Sequence, residues 1–451
     1  LVVSFGQWLK YQPTRHCSYT SKRRGYRFGL IVGDFPPKKP PKGIALQILP
    51  AVIFIIKQWG SATCCPAEKV FVTGKAPPIN PGTPSDFCVL NGREDARLSD
   101  VERLTVLGGA SLDRLLGRLG KSLSAVTLST FAPGLDIGAL KTAQIKLHML
   151  RTTGEIEKLF AIPTVPASAT VTHIHGFPNG GVYDLELTSQ FPQRDWAQDR
   201  EYLASEANTT SYVRLWEHAG DQAKRTTVVA IHGWTMGDQR VNSLAFLPGL
   251  FYQLGCNVAL VELPFHGRRR PADIPEDVPL FPSADPIRTC VAMAHALYDL
   301  RRLRMYLEQR GHQRMACVGM SLGAYVGALW AARDRLARAA LLVPLVSMGD
   351  MAVELFKSSG SSQVPAEFLR DLFEDHSPLK QLPATPQSSI MVIGGEGDHL
   401  VPRSQITLLQ KRWPHATVEW VHGGHAAGTN RAQVFDRIAQ FLTGEDSPSR
   451  S

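Results

Sequence analysis

The stretch Met315-Ala316-Cys317-Val318-Gly319-Met320-Ser321-Leu322-Gly323-Ala324-Tyr325-Val326 changes character at its middle. Residues 315–318 form an apolar run of strand length, and Ala324 through Ala332 form a small-residue run suited to a helix packed close behind it. Gly319-Met320-Ser321-Leu322-Gly323 therefore sits where a strand turns sharply into a helix. In that context the reading is a nucleophile elbow. The serine takes a strained backbone conformation, and glycines at 319 and 323 leave room for the adjoining strand and helix. Five residues alone also fit an ordinary glycine-rich turn, so the surrounding chain decides.

Working outward, Thr227–Ile231, Val258–Val261, Cys317-Val318, Ala340–Val343 and Ile390–Ile393 are buried, largely β-branched runs. Helix-length segments near 240–254, 286–310, 322–333 and 402–412 separate or follow them. Alternation of this kind predicts an α/β fold: a mostly parallel sheet of about eight strands with helices on both faces. Val182–Thr188 and Ser211–Trp216 alternate like half-exposed strands and suit an antiparallel start to the sheet. Val418–Val421 and a helix near Ala432–Leu442 complete it, and residues 347–387 leave room for a small cap of two short helices.

Ligands of such sheets bind beyond the carboxyl ends of the strands, so the loops after these runs are where chemistry belongs. They carry His232-Gly233-Trp234, the serine turn, Gly394-Gly395-Glu396-Gly397-Asp398 and His422-Gly423-Gly424-His425. A serine hydroxyl needs a base to accept its proton during attack, and a carboxylate to orient that base and stabilise its charged form. His425 and Asp398 fit those roles. The nearby His399, His415 and His422 are alternatives for the base, and Glu396 for the acid. An oxyanion would be held by the N–H of Leu322, at the positive end of a helix dipole, and by the N–H of Trp234. His232, Gly233, Gly319 and Gly323 support these loops, while Trp234 and Met320 are candidate pocket walls.

Other features carry less chemistry. His173-Ile174-His175 lacks companion ligands at useful spacing, so no metal is expected. Arg268-Arg269-Arg270 is followed by Asp273, Glu276 and Asp277, which reads as a charge-balanced surface loop. There is no glycine-rich phosphate loop or dinucleotide fingerprint.

With these motifs in place, the chain from about 180 to 445 is similar to the α/β-hydrolase superfamily. Ile231-His232-Gly233-Trp234, Gly319–Gly323, Gly397-Asp398-His399-Leu400-Val401-Pro402 and Gly424-His425 carry the likeness, in the chain order serine, acid, base. Glu262-Leu263-Pro264-Phe265-His266-Gly267-Arg268-Arg269-Arg270-Pro271 resembles a segment of bacterial hydrolases related to abhydrolase domain-containing 18 proteins. The resemblance implies a serine esterase, lipase, thioesterase or peptidase that needs no cofactor. Ser321 speaks against the superfamily's aspartate dehalogenases and cysteine lactone hydrolases. The expected partner is a small-molecule ester of small to medium acyl chain. An acyl-peptide or prolyl-type peptidase and a non-catalytic ligand-binding member are the alternatives.

The net charge of +9 lies wholly in residues 1–148, which carry +11 against −2 for the rest, so the region with the motifs gives no reason to expect nucleic acid. The first of nine methionines is Met149, and residues 1–148 lack sustained periodicity apart from a possible helix at Ser111–Leu119. Residues 1–148 are expected to be an extension or a stretch that is not native coding sequence, ahead of a hydrolase domain at 149–451. Ile44–Ile56 is shorter than the roughly 20 residues a span needs and holds Gln47 and Pro50, so no stable membrane insertion is expected. The cysteines are Cys17, Cys64, Cys65, Cys88, Cys256, Cys290 and Cys317, with no Cys-x-x-Cys spacing. Buried reduced thiols and a cytoplasmic location fit that usage.

Overall fold

Five strands with few polar side chains must be covered on both sides, and the computed structural model places them side by side in one sheet. The structure describes residues 137–192, 206–275, 278–283, 285–358, 364–398, 400–425 and 431–444. The expected helix at Ser111–Leu119, the run Ile44–Ile56, the four cysteines before 100 and His399 lie outside the described residues.

In chain order the elements are α1 (Ile137–Thr152), α2 (Glu155–Leu159), β1 (Ala169–Phe177), β2 (Gly180–Thr188), β3 (Thr210–His218), β4 (Thr226–Ile231), α3 (Gln239–Phe246), α4 (Pro248–Gln253) and β5 (Asn257–Val261). There follow α5 (Pro286–Gln309), β6 (Arg314–Met320), α6 (Leu322–Arg333), β7 (Arg338–Leu342), α7 (Met348–Ser358), α8 (Ala366–Leu372), β8 (Ile390–Gly395), α9 (Arg403–Arg412), β9 (Thr417–Val421) and α10 (Arg431–Thr443). The strand order is β1-β2-β3-β5-β4-β6-β7-β8-β9. β1, β2, β3 and β5 pair antiparallel in turn, and from β5 to β9 every pairing is parallel.

Side chains of a strand alternate between faces, and here each face has its own core. Val229, Ile231, Ala259, Val261, Cys317, Leu341 and Val392 pack with α1, α2, α5, α6 and α9. Val228, Ala230, Val258, Leu260, Val318, Leu342 and Ile393 pack with Phe246, Phe251, Phe435 and Leu442 from α3, α4 and α10. The mostly parallel sheet with helices on both faces is thus as the alternation predicts. α6 is buried at all positions from Leu322 to Ala332, which explains why its sequence is apolar all round rather than striped.

Three local outcomes differ from the sequence expectations. The helix anticipated over 240–254 is two helices, because Leu247 adopts a left-handed φ of +49° and Pro248 opens a new first turn. An additional strand, β1, extends the sheet by pairing with β2, and carries the exposed His173 and His175. Arg269, expected on the surface, is 0% exposed: its guanidinium pairs with Asp299 at 2.8 Å and donates to the carbonyls of Glu262 and Asn208. The interval between β7 and β8 holds the two short helices α7 and α8, and α1 runs unbroken across residues 148–149. α1 turns Leu140, Ala143, Leu147 and Leu150 inward and anchors Arg151 to Asp371 and Asp375.

The core also holds neutral histidines. Burial pushes His232 down to about 3, and His266, His295 and His376 down to about 4 each. An unfolded chain takes up protons at these positions below about pH 6.5, whereas the folded chain does so only near pH 3–4. Stability is therefore full above the unfolded value and is lost as pH falls through that window, by about 1.4 kcal/mol per pH unit for each histidine. Urea titrations are expected to show a loss of several kcal/mol between pH 7.5 and pH 5, and equal midpoints at the two pH values would contradict it.

Candidate active site

The loops leaving the carboxyl ends of β4, β5, β6 and β7 each hold a non-glycine residue at positive φ: Thr235 at +64°, Phe265 at +61°, Ser321 at +55° and Val343 at +40°. Such conformations cost on the order of 1–3 kcal/mol apiece and persist only where surrounding structure enforces them. They gather at the sheet edge that bears the candidate residues.

Ser321 lies between β6 and α6 with φ 55° and ψ −113°. Its N–H donates to the Leu342 carbonyl at 2.9 Å, tying the turn to the end of β7. The two flanking glycines are needed by contact rather than by dihedral. A Cβ on Gly319 would stand 2.3 Å from the Gly323 carbonyl oxygen, and one on Gly323 would stand 2.0 Å from that of Ile231. Gly323 thus lets the first turn of α6 press against the end of β4. The loop after β4 in turn lies over the nucleophile: a Cβ at Gly233 would be 3.6 Å from that of Ser321.

Ser321 Oγ and His425 Nε2 are 3.0 Å apart, and His425 Nδ1 and Asp398 Oδ2 are 2.8 Å apart. The other carboxylate oxygen of Asp398 accepts from the N–H groups of Leu400 and Val401, at 2.9 and 2.8 Å. Those two donors fix the carboxylate so that Oδ2 faces the imidazole. With Nδ1–H donating to Asp398, Nε2 is the free-electron-pair nitrogen and takes the hydroxyl proton of Ser321 as its hydrogen bond. The His425 and Asp398 side chains are 15% and 4% exposed, so their contact is shielded from bulk water.

His232 is a strut of the neighbouring loop. Its Nδ1–H donates to the Gly233 carbonyl at 2.8 Å, and its Nε2 accepts from the Leu263 N–H at 3.1 Å. Complete burial holds the ring neutral, which this one-donor, one-acceptor arrangement requires. Leu322 opens α6, where a backbone N–H has no intrahelical acceptor. Among the described residues neither the Leu322 nor the Trp234 N–H is engaged by a protein acceptor. The Trp234 side chain is 49% exposed, and Met320 is half-buried against the core on the α3, α4 and α10 side.

The alternative residues are placed elsewhere. His422 and Glu396 contact each other at 2.7 Å rather than Ser321, and His415 lies at the start of the β9 turn, its N–H bonded to Gln387. Asp436 on α10 accepts from Gln440. Glu262, given no role of its own by the sequence though it opens the 262–271 segment, is buried, and its carboxylate receives Gln239 together with the N–H and guanidinium of Arg268. It folds the 262–268 loop beneath the His232 loop. Its sequence signals are a lone carboxylate directly after an apolar strand and its place at the head of the 262–271 segment. Among the described residues no group of three or more His, Cys, Asp and Glu side chains is arranged to hold a metal, and no helix is long and apolar enough to cross a membrane.

A sheet of this strand order, parallel beyond β5, helix-covered on both faces and turning sharply at a serine after β6, gives the chain the α/β-hydrolase fold. Residues 374–440, which include Asp398 and His425, match the family model for alpha/beta hydrolase domain containing 18. No curated protein matches the sequence. Among solved structures, the chain is similar to the acetyl xylan esterase of Paenibacillus sp. R4, with 14% identity, 64% of this chain and 92% of that one covered, and a TM-score of 0.47. It is likewise similar to acetyl xylan esterase 1 of Thermoanaerobacterium sp. JW/SL YS485, at 12% identity, coverage of 64% and 93%, and a TM-score of 0.44. A third is Est1E from Butyrivibrio proteoclasticus with ferulic acid bound, at 13% identity, coverage of 52% and 95%, and a TM-score of 0.37.

Proposed function

We propose that the protein is a serine hydrolase that cleaves carboxylic esters of small to medium acyl chain through an acyl-enzyme. The observation that carries this reading is the continuous hydrogen-bonded line from Ser321 through His425 to Asp398, at 3.0 and 2.8 Å. Ser321 Oγ attacks the ester carbonyl while His425 Nε2 takes its proton, and the negative charge that forms on the carbonyl oxygen falls to the N–H groups of Leu322 and Trp234. His425 then gives the proton to the departing alcohol. Water enters by the reverse route, losing a proton to His425 and releasing the carboxylic acid from Ser321.

The half-exposed Trp234 gives the acyl group an apolar wall at the mouth of the site. Turnover of p-nitrophenyl esters of graded chain length, alongside a peptide amide series, tests both the reaction and its class. Hydrolysis of peptides with esters left intact would overturn the esterase reading.

Asp398→Asn keeps the shape of the side chain and removes its charge. The expected result is a fall in kcat of about 10³–10⁴-fold. The fold should survive, because Oδ1 can still accept from Leu400 and Val401. Steady-state kinetics beside a thermal melt checks this, and a loss below tenfold would remove Asp398 from the mechanism.

A further inference from the structure

The two loops that carry Asp398 and His425 meet through a second carboxylate–imidazole pair. β8 and β9 end in register, Gly395 opposite Val421, and their pairing continues past the sheet: Glu396 N–H donates to the Val421 carbonyl at 3.0 Å and Gly397 N–H to that of Gly423 at 2.7 Å. Just there His422 Nδ1–H donates to Glu396 Oε2 at 2.7 Å. Glu396 is 9% and His422 13% exposed at the side chain, so the bond is sheltered.

Between His422 and His425 lie Gly423, at φ +148°, and Gly424. A glycine pair has more backbone freedom than any other dipeptide, and the Gly397 N–H bond ties down only its first member, so the hold on His422 adds to the placement of His425. The carboxylate two residues before Asp398 grips the imidazole three residues before His425, which couples the acid loop to the base loop ahead of the flexible joint. We infer that Glu396 and His422 are positioning residues that set His425 against Asp398 and Ser321, an inference that rests on the esterase reading above. Neither side chain need touch substrate. Loss of the grip lets the imidazole wander, and displacement of a reacting group by about 1 Å costs up to about 100-fold in rate.

The experiment compares Glu396→Ala, Glu396→Gln, His422→Ala, His422→Asn and the double alanine variant on p-nitrophenyl acetate. Either alanine variant is expected to lower kcat by about 10–100-fold with KM changed less than about threefold. Gln and Asn keep an acceptor and a donor near the original atoms, and each should return most of the lost kcat. The double variant should be no slower than the worse single one, because both changes break one contact. If Glu396→Ala does not fold, the His422 pair reads the same contact from the other side. A kcat within twofold of wild type in both alanine variants, a rise in KM at constant kcat, or no recovery in the Gln and Asn variants would overturn the inference. Fluorophosphonate labelling separates the two levels. A wild type and Glu396→Ala labelled equally fast would overturn the positioning role alone, whereas an unlabelled wild type would overturn the esterase reading with it.

Discussion

Ser321→Ala is expected to lower ester turnover by about 10⁴-fold or more, with the thermal midpoint nearly unchanged. The size follows from what remains. Alanine keeps the backbone turn and the N–H groups of Leu322 and Trp234, so under the proposed mechanism binding and charge stabilisation would survive while the covalent route is lost. The stability expectation follows from the contacts: the turn is held by its own N–H to Leu342 and by the fit of Gly319 and Gly323, none of which uses the hydroxyl. The hydroxyl contributes one hydrogen bond, to His425, worth about 1 kcal/mol. Initial rates with p-nitrophenyl acetate and fluorophosphonate labelling measure the effect. Undiminished activity in the variant would take Ser321 out of the reaction.

The second large effect is on folding. Gly323→Ala is expected to destabilise the protein by about 3 kcal/mol or more, because the added methyl meets immovable atoms. Its Cβ would lie 2.0 Å from the Ile231 carbonyl oxygen and 2.5 Å from that of His232, both main-chain atoms at the end of the central strand β4. Relief requires α6 to back away, which would also move the Leu322 N–H and the serine. Gly327→Ala, one turn later in the same helix, is the control: its Cβ would find ordinary contacts at 3.5–3.8 Å from Leu341, Cys317 and Ile231. There the gain in helix propensity, about 1 kcal/mol, should hold or raise stability. Denaturant titration of both variants decides the matter, and a Gly323→Ala protein as stable as wild type would refute the packing argument.

These outcomes also indicate which features a sequence can reveal. The central strands were legible because a strand buried on both faces is apolar along its length, as Val228–Ile231 and Ile390–Ile393 are. Ser321 and Asp398 stood out because each follows such a strand, and His425 because it follows a Gly-Gly pair after the shorter strand β9. β1 left no such trace: an edge strand exposed on both faces has no apolar alternation, and its Thr-Val-Thr-His-Ile-His reads as a polar connector. Arg269 was misread for a related reason. Sequence shows three consecutive arginines beside acidic residues, but its true partner, Asp299, is 30 positions away on α5, and only the fold brings them together. Glu396 and His422 were visible as rivals to Asp398 and His425. Their mutual contact depends on β8 and β9 being adjacent, which chain order alone does not establish.

Cys317 is fully buried at the middle of β6, four residues before Ser321, and burial pushes its thiol up to about 12. In the folded molecule almost none of it is thiolate at neutral pH, and reagents have no path to it. Modification of this sulfur must wait until β6 leaves the sheet. Its labelling rate, followed peptide by peptide in a mass spectrometer, is therefore an internal clock for whole-domain opening, wound by the same strand that presents the serine.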